Sequence, residues 1–351
     1  MTTITIKEYN ESVARRLLSV PFWRAEYFPE FFSENFTMDF PSAPPGMPTH
    51  FSVGESERCF EWLNRTVKHW EAELEEFYTT PDPNQFWAIG ICRGRVFWNA
   101  QDGEFRSKFF VRVQFQDAKI VYMKGWMDTL AFLRAAHIPY DTIIKHFEDP
   151  KVDEFLAGPP KRFQQDKKDE CTHEDPYRGV DMHPKAIQKR LRDNLQQNVC
   201  GVEREKYRKT ETFHPDYKRG AWFIPDEQPW KEVDDLDLSV YRSTDLEASV
   251  PKEVKPRIFA WVKGSSPWMY RDTRGVNYPT DDPYVYFAEM HSNGPSTWIG
   301  NGCEEGHYHQ EYLMYMKFDE AGRELIRDEI ICPMNKLISA RIQVPSFPYY
   351  Y

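Results

Sequence analysis

With 351 residues, 45 basic and 55 acidic side chains and a formal charge of −10, the chain suits two domains of roughly 150 residues. It carries no charge excess with which to grip a phosphate backbone, so nucleic acid is excluded as an expected partner. Aromatic side chains make up 16% of it, which favours aromatic-lined cores or cavities over coiled coils and disorder.

The start of the chain, MTTITIKEYNESVARR, has acidic residues early and no apolar h-region, so no secretory signal is expected. No uninterrupted apolar run is long enough for a membrane span. The six cysteines are scattered without a CxxC pair, which fits a reducing, cytoplasmic setting. Helices are expected over 11–20 and over 56–77, the second from the spacing of Phe60, Leu63, Val67, Trp70 and Leu74. The aromatic run from Phe28 to Phe36 reads as packing. The turn Thr80-Pro81-Asp82-Pro83 then opens strand-like runs over 85–98, 105–114 and 118–126. A short helix ending at proline, LAFLRAAHIP over 130–139, closes this half, with His137 capping or packing.

Residues 149–183 are dense in charge, Pro and Gly and read as a linker, with Cys171, His173 and His183 as surface residues. Beyond it the same order recurs. Residues 184–196 and 203–212 read as helices, 253–262 as helix or strand, and 284–290, 306–317 and 323–331 as strands. Residues 337–345 close this half as a short helix ending at proline. Thr280-Asp281-Asp282-Pro283 repeats the earlier turn. Helices first and an antiparallel meander after predict an α+β fold in two tandem domains, 1–148 and 184–351. In each, a curved sheet wraps helices into a cone whose open end suits a ligand.

The sharpest spacing is GHYHQEYL, where strand alternation puts His307, His309 and Glu311 on one face. Three readings stand: polar lining of the cone, a divalent-metal site, or a solvated strand. The first and last of these residues lie about 13 Å apart along a strand, too far for one ion without curvature. Glu329 sits beside Ile330 and Ile331, either as a partly desolvated proton carrier or as an edge-strand charge. Trp222 and Trp261 read as a flat cavity wall or as core. GxSxG, GxGxxG and phosphate-loop patterns are absent.

PDPNQFW, KIVYMKGWM and FLRAAHIP, with YPTDDPYVYF, EEGHYHQEYL and the segment around Glu329, resemble the PhzA/PhzB family of phenazine biosynthesis. That family belongs to the nuclear-transport-factor-2-like, or SnoaL-like, superfamily. The resemblance implies cone-shaped domains that dimerise through their sheets, so that two fused copies form an intrachain pseudo-dimer, alone or in a homodimer. It also implies cofactor-free condensation of amino-ketone intermediates by a carboxylic acid on a late strand. The family's glutamate falls on Glu329, while the first copy has Gly125 there. Lys209 matches the family's basic residue before the first strand, and Phe28 stands at that place in the first copy; Arg257 lies nearest its helix histidine.

The expected function is a cofactor-independent enzyme of secondary-metabolite biosynthesis that condenses, cyclises or isomerises a small ring-shaped keto or amino intermediate. Glu329 shuttles the proton, and His307 and His309 polarise or orient the reacting group. Lys209, Arg257, Trp222, Trp261 and Glu311 bind substrate, and the first domain carries a degenerate site. The alternatives are a metal-dependent enzyme at His307, His309 and Glu311, and a non-catalytic binding protein for a reactive intermediate.

Overall fold

A computed structural model describes residues 4–24, 26–43, 47–98, 100–127, 132, 135–137, 180–189, 213–221, 272–296 and 306–331. The chain divides into two compact units, one of Met1–Pro139 with Pro345–Tyr351 and one of Tyr140–Val344.

The first unit opens with α1 (Ile6–Ser19), followed by the short α2 (Phe28–Phe31), β1 (Phe32–Asp39), β2 (His50–Phe51) and α3 (Val53–Thr66). Its meander then runs through β3 (Val67–Thr79), β4 (Gln85–Trp98), β5 (Gln101–Gln116) and β6 (Lys119–Met127). Both long helices begin at a capping box. Thr5 and Ser52 each exchange hydrogen bonds with a glutamate three residues on, Glu8 and Glu55, which satisfies end N–H groups that the helix leaves unpaired. The strands form one curved sheet in the order β2-β1-β6-β5-β4-β3, antiparallel except where β1 runs parallel to β6. This is the α+β arrangement expected from the order of elements.

The helix expected over 56–77 ends at Thr66, and its second half is β3. From Trp70 onward Trp70, Ala72 and Leu74 are half-buried, while Glu71, Glu73 and Glu75 are exposed, a period of two. Val67, Trp70 and Leu74 also fit helical spacing, so the apolar residues alone do not separate the two periods. Glycines set the contour of the next strand. A Cβ on Gly90 would lie 2.7 Å from the Phe109 ring and one on Gly94 2.4 Å from the Phe105 ring. These are the residues paired across β4 and β5. Glycine on β4 therefore lets two rings from β5 lie down across the neighbouring strand.

In the second unit, a short 3-10 turn (Val180–Met182) precedes β7 (Phe213–Ala221), β8 (Asp272–Pro279), β9 (Val285–Ser296), β10 (Gly306–Phe318) and β11 (Glu324–Ile331). Its sheet has the order β7-β11-β10-β9-β8, with β7 parallel to β11. Strand for strand, this is the order and sense of β1-β6-β5-β4-β3. The irregularities match as well: the β5/β6 register shifts between Gln114 and Phe115, and the β10/β11 register between Lys317 and Phe318. The helices expected over 203–212 and 337–345 and the segment 253–262 lie outside the described residues.

The two turns that open β4 and β9 are built alike. Thr80 Oγ1 donates to the carbonyls of Asp82 and Gln85, and Thr280 Oγ1 to those of Asp282 and Val285. Each turn is then tied to the segment at the start of its unit. Asn10 of α1 donates Nδ2 to the Pro83 carbonyl at 3.3 Å. In the second unit His183 Nδ1 lies 2.6 Å from the Pro283 carbonyl. His183, expected at the surface of a linker, is therefore buried at 3% exposure, and Ile187 one turn on is fully buried. The charged residues around it masked an element that starts a core.

Burial lowers the His183 pKa below its ordinary value of 6.5, against opposing contributions from the Pro283 carbonyl and from Asp282 and Asp181. Because the folded state resists protonation, its stability is full above that value and is lost as pH falls through the lowered one. The second unit is expected to lose stability as pH falls below about 6.5 and through the lowered value. His183→Asn, which copies the Asn10 arrangement, is expected to flatten that dependence in denaturant melts. An unchanged slope in the variant contradicts the assignment.

Candidate functional site

The first unit encloses a cavity of about 150 Å³. One wall comes from the sheet, with Phe105, Phe109 and Val111 on β5 and Met123, Gly125 and Trp126 on β6. The other comes from α1, α3 and the segment between α1 and α2, through Leu18, Phe60, Trp62, Phe22 and Trp23. These walls follow from alternation: every second residue of β5 from Phe105 to Val111 points the same way, and the helices turn their apolar sides to that face. Gly125 is central to the void. A Cβ built there meets nothing within 4 Å, so the space a side chain would take is left open.

Among the described lining residues, Asp39 is the one charged residue. It ends β1, where parallel pairing with β6 sets it opposite Lys124. Its Oδ1 lies 2.6 Å from His50 Nδ1 on β2, and its Oδ2 accepts from the Tyr122 hydroxyl at 2.5 Å. The three residues form a Tyr–Asp–His chain at the edge of an apolar chamber. The carboxylate is thus oriented and has both oxygens engaged. Behind it Lys124 is buried, with its ammonium 5.3 Å from the centre of the Trp126 ring.

Trp126 is 1% exposed and stacks on Trp87 with ring centres 6.0 Å apart. The indole N–H groups of Trp126 and Trp70 are both buried without an acceptor, and alternation sets Trp126, with Tyr122 and Lys124, on the face of β6 away from Met123 and Gly125.

The residues proposed from sequence lie in the second unit. Glu329 is on β11, paired with Met314 on one side and Ala221 on the other. His307 and His309 are on β10, opposite Pro295 and Asn293 of β9. Glu311 follows on the same strand opposite His291 and is partly exposed. All three lie on strand β10. Lys209, Trp222, Arg257 and Trp261 lie outside the described residues. Among the described residues, no group of three potential ligands is close enough to hold a metal. Asp39, His50 and Tyr122 were not singled out from the sequence. The parallel pairing of strands about 80 residues apart brings them together, and no local spacing announces it.

The pairing registers relate the two units at the residue of greatest interest. Val111 pairs with Gly125, and Met314 pairs with Glu329. Counting from the matched bulges, Val111 and Met314 hold the same place, and so do Gly125 and Glu329. The strand position that opens onto the cavity in the first unit holds glutamate in the second.

Residues 29–147 match the phenazine biosynthesis protein A/B family. A phenazine biosynthesis-related protein from Pseudomonas aeruginosa is 20% identical, with 38% of this chain and 88% of that one covered and a TM-score of 0.34. A putative SnoaL-like polyketide cyclase from Jannaschia sp. CCS1 is 13% identical, covering 40% and 99%, with a TM-score of 0.32. A putative isomerase from Bacillus subtilis is 18% identical, covering 38% and 95%, at 0.30. No curated protein matches the chain. No helix among the described residues is long and apolar enough to cross a membrane.

Proposed function

We infer that the chain is a cofactor-independent acid/base enzyme acting on a small ring-shaped keto or amino intermediate, with its chemistry in the second unit at Glu329. The observation that carries this reading is the shared register, which gives Glu329 the strand position that Gly125 occupies at the cavity wall of the first unit. A carboxyl group facing an enclosed apolar space is desolvated in its charged form, which makes it fit both to take up and to return a proton near neutrality. Glu329 removes a proton next to a carbonyl or imine and delivers it elsewhere on the same ring. His307 and His309, two residues apart on β10, polarise or orient the reacting group. Lys209 or Arg257 holds a substrate carboxylate through charge-assisted hydrogen bonds, and Trp222 and Trp261 supply a flat wall, with Glu311 at its border.

In this reading the two units are successive copies of one fold, joined as an intrachain pseudo-dimer, and the phenazine-family match of the first supports it. The test is exchange of the α-protons of cyclohexanone for solvent deuterium, followed by proton NMR with the full chain and its Glu329→Gln variant. Acceleration that depends on Glu329 supports the reading. A rate equal to that of buffer alone contradicts it.

A further inference from the structure

The pairing registers lay one row of residues across the sheet of the second unit. Asn277 of β8 pairs with Ala288 of β9, Ala288 with Met314 of β10, and Met314 with Glu329 of β11. The corresponding row of the first unit is Phe77, Ala88, Val111 and Gly125. Two counts match the rows independently. Val111 and Met314 stand at the same distance from the matched bulges, and Phe77 and Asn277 each stand three residues before the turn threonine. The rows therefore differ at both ends: phenylalanine and glycine flank the first, and two hydrogen-bonding residues flank the second.

Phe77 packs against the Phe86 ring with centres 5.7 Å apart and lies under the Arg15 guanidinium of α1, so the fold accepts an apolar side chain at this place. Asn277 is 2% exposed, and neither its Nδ2 nor its Oδ1 has a hydrogen-bond partner among the described residues. Paired residues of an antiparallel ladder share a face, which sets Asn277 with Ala288 and Met314, two members of the buried cluster around Ile187. A buried amide with both ends unpaired destabilises the fold, and an apolar residue here would avoid that loss.

We propose that Asn277 is a substrate-binding residue of the second unit, holding a hydroxyl group on the side of the ring away from the carbon that exchanges its proton. The proposal rests on the reading of Glu329 as the proton carrier for that ring. Three strand steps of about 4.8 Å separate the two positions, about 14 Å along a flat sheet and less along a curved one. One six-membered ring with polar groups at opposite ends, together with the two side chains, bridges that distance. A hydroxyl suits Asn277 because it can accept from Nδ2 and donate to Oδ1, whereas a carbonyl answers Nδ2 alone. A ring with a methyl group at that place leaves both ends unpaired and is rejected for that reason. The substrate class is thus a cyclic ketone hydroxylated across the ring from its carbonyl.

The experiment is calorimetric titration of the full chain with 4-hydroxycyclohexanone and 4-methylcyclohexanone, which differ in one group of similar size. The parent is expected to bind the hydroxy ketone at least about tenfold more tightly, the difference that one net hydrogen bond makes. Asn277→Leu is expected to remove this preference and to raise the melting temperature of the second unit by about 2–4 °C, because the unpaired amide is gone. Phe77→Leu, at the matching place of the first unit, is expected to keep the preference. Glu329→Gln is expected to keep it too, since binding moves no proton. A preference without accelerated ketone exchange contradicts the role of Glu329 and supports that of Asn277. Equal binding of the two ketones by the parent, binding of neither, or a preference that survives Asn277→Leu overturns the proposal. So does a lower melting temperature of that variant.

Discussion

Glu329→Gln is expected to slow ketone deuterium exchange by about 10²–10⁴-fold, the usual contribution of a positioned general acid or base. The substitution keeps the size and hydrogen-bonding shape of the side chain and removes its ability to carry a proton. Thermal melting should therefore be nearly unchanged while exchange falls to the level of the remaining polar groups. The magnitude separates the roles considered for β10 and β11. If His307 and His309 carry the proton themselves, the loss at Glu329 is small, and the double change His307→Ala with His309→Ala produces the large one. If Glu329 carries it, the histidine changes weaken polarisation of the carbonyl and cost less.

Phe60→Ala is expected to cost the first unit about 3–5 kcal/mol, the range for a buried aromatic cut back to a methyl group. Phe60 is 3% exposed on α3 and sits at the centre of a ring cluster, with ring centres 5.7 Å from Phe22, 5.9 Å from Phe28, 5.4 Å from Phe32 and 6.0 Å from Phe36. It fastens the helices to β1 and also forms part of the cavity wall. Its removal adds to a void that already exists, so the surroundings have little with which to refill the space. Because the chain holds two units, the loss should appear as an earlier first transition in denaturant, with the second transition in place. A loss below about 1 kcal/mol, the scale of an ordinary surface change, would show that the ring cluster does not hold the helices.

The meander was legible because its strands alternate. The expected strand over 85–98 coincides with β4, and β6, β10 and β11 follow within about a residue at each end. The turn pair at Thr80 and Thr280 was legible too, because Thr, Asp and Pro at fixed offsets carry their own hydrogen bonds. Gly125 and Glu329 were set side by side from the family resemblance, by the place of the family's glutamate, before their registers were known. Most of β3 was hidden because Val67, Trp70 and Leu74 fit helical spacing, and neither Gly nor Pro marks the end of α3. Strand β1 was hidden inside the aromatic run from Phe28 to Phe36, where size and burial obscure alternation. The Asp39–His50–Tyr122 chain was beyond reach for another reason. Its members meet only after β1 has crossed to lie parallel to β6, a long-range event that composition does not encode locally. His183 was misplaced because the charged residues before it dominated the reading, whereas the burial of His183 and Ile187 decides its place.

What remains central is that one strand position holds an open glycine in the first unit and, in the second, the glutamate proposed to carry the proton. A crystal structure of the full chain measures this directly. The account predicts the Glu329 carboxyl lining an apolar chamber on one face of the β7–β11 sheet. A Glu329 carboxylate on the opposite face of β11, in bulk solvent, would contradict it.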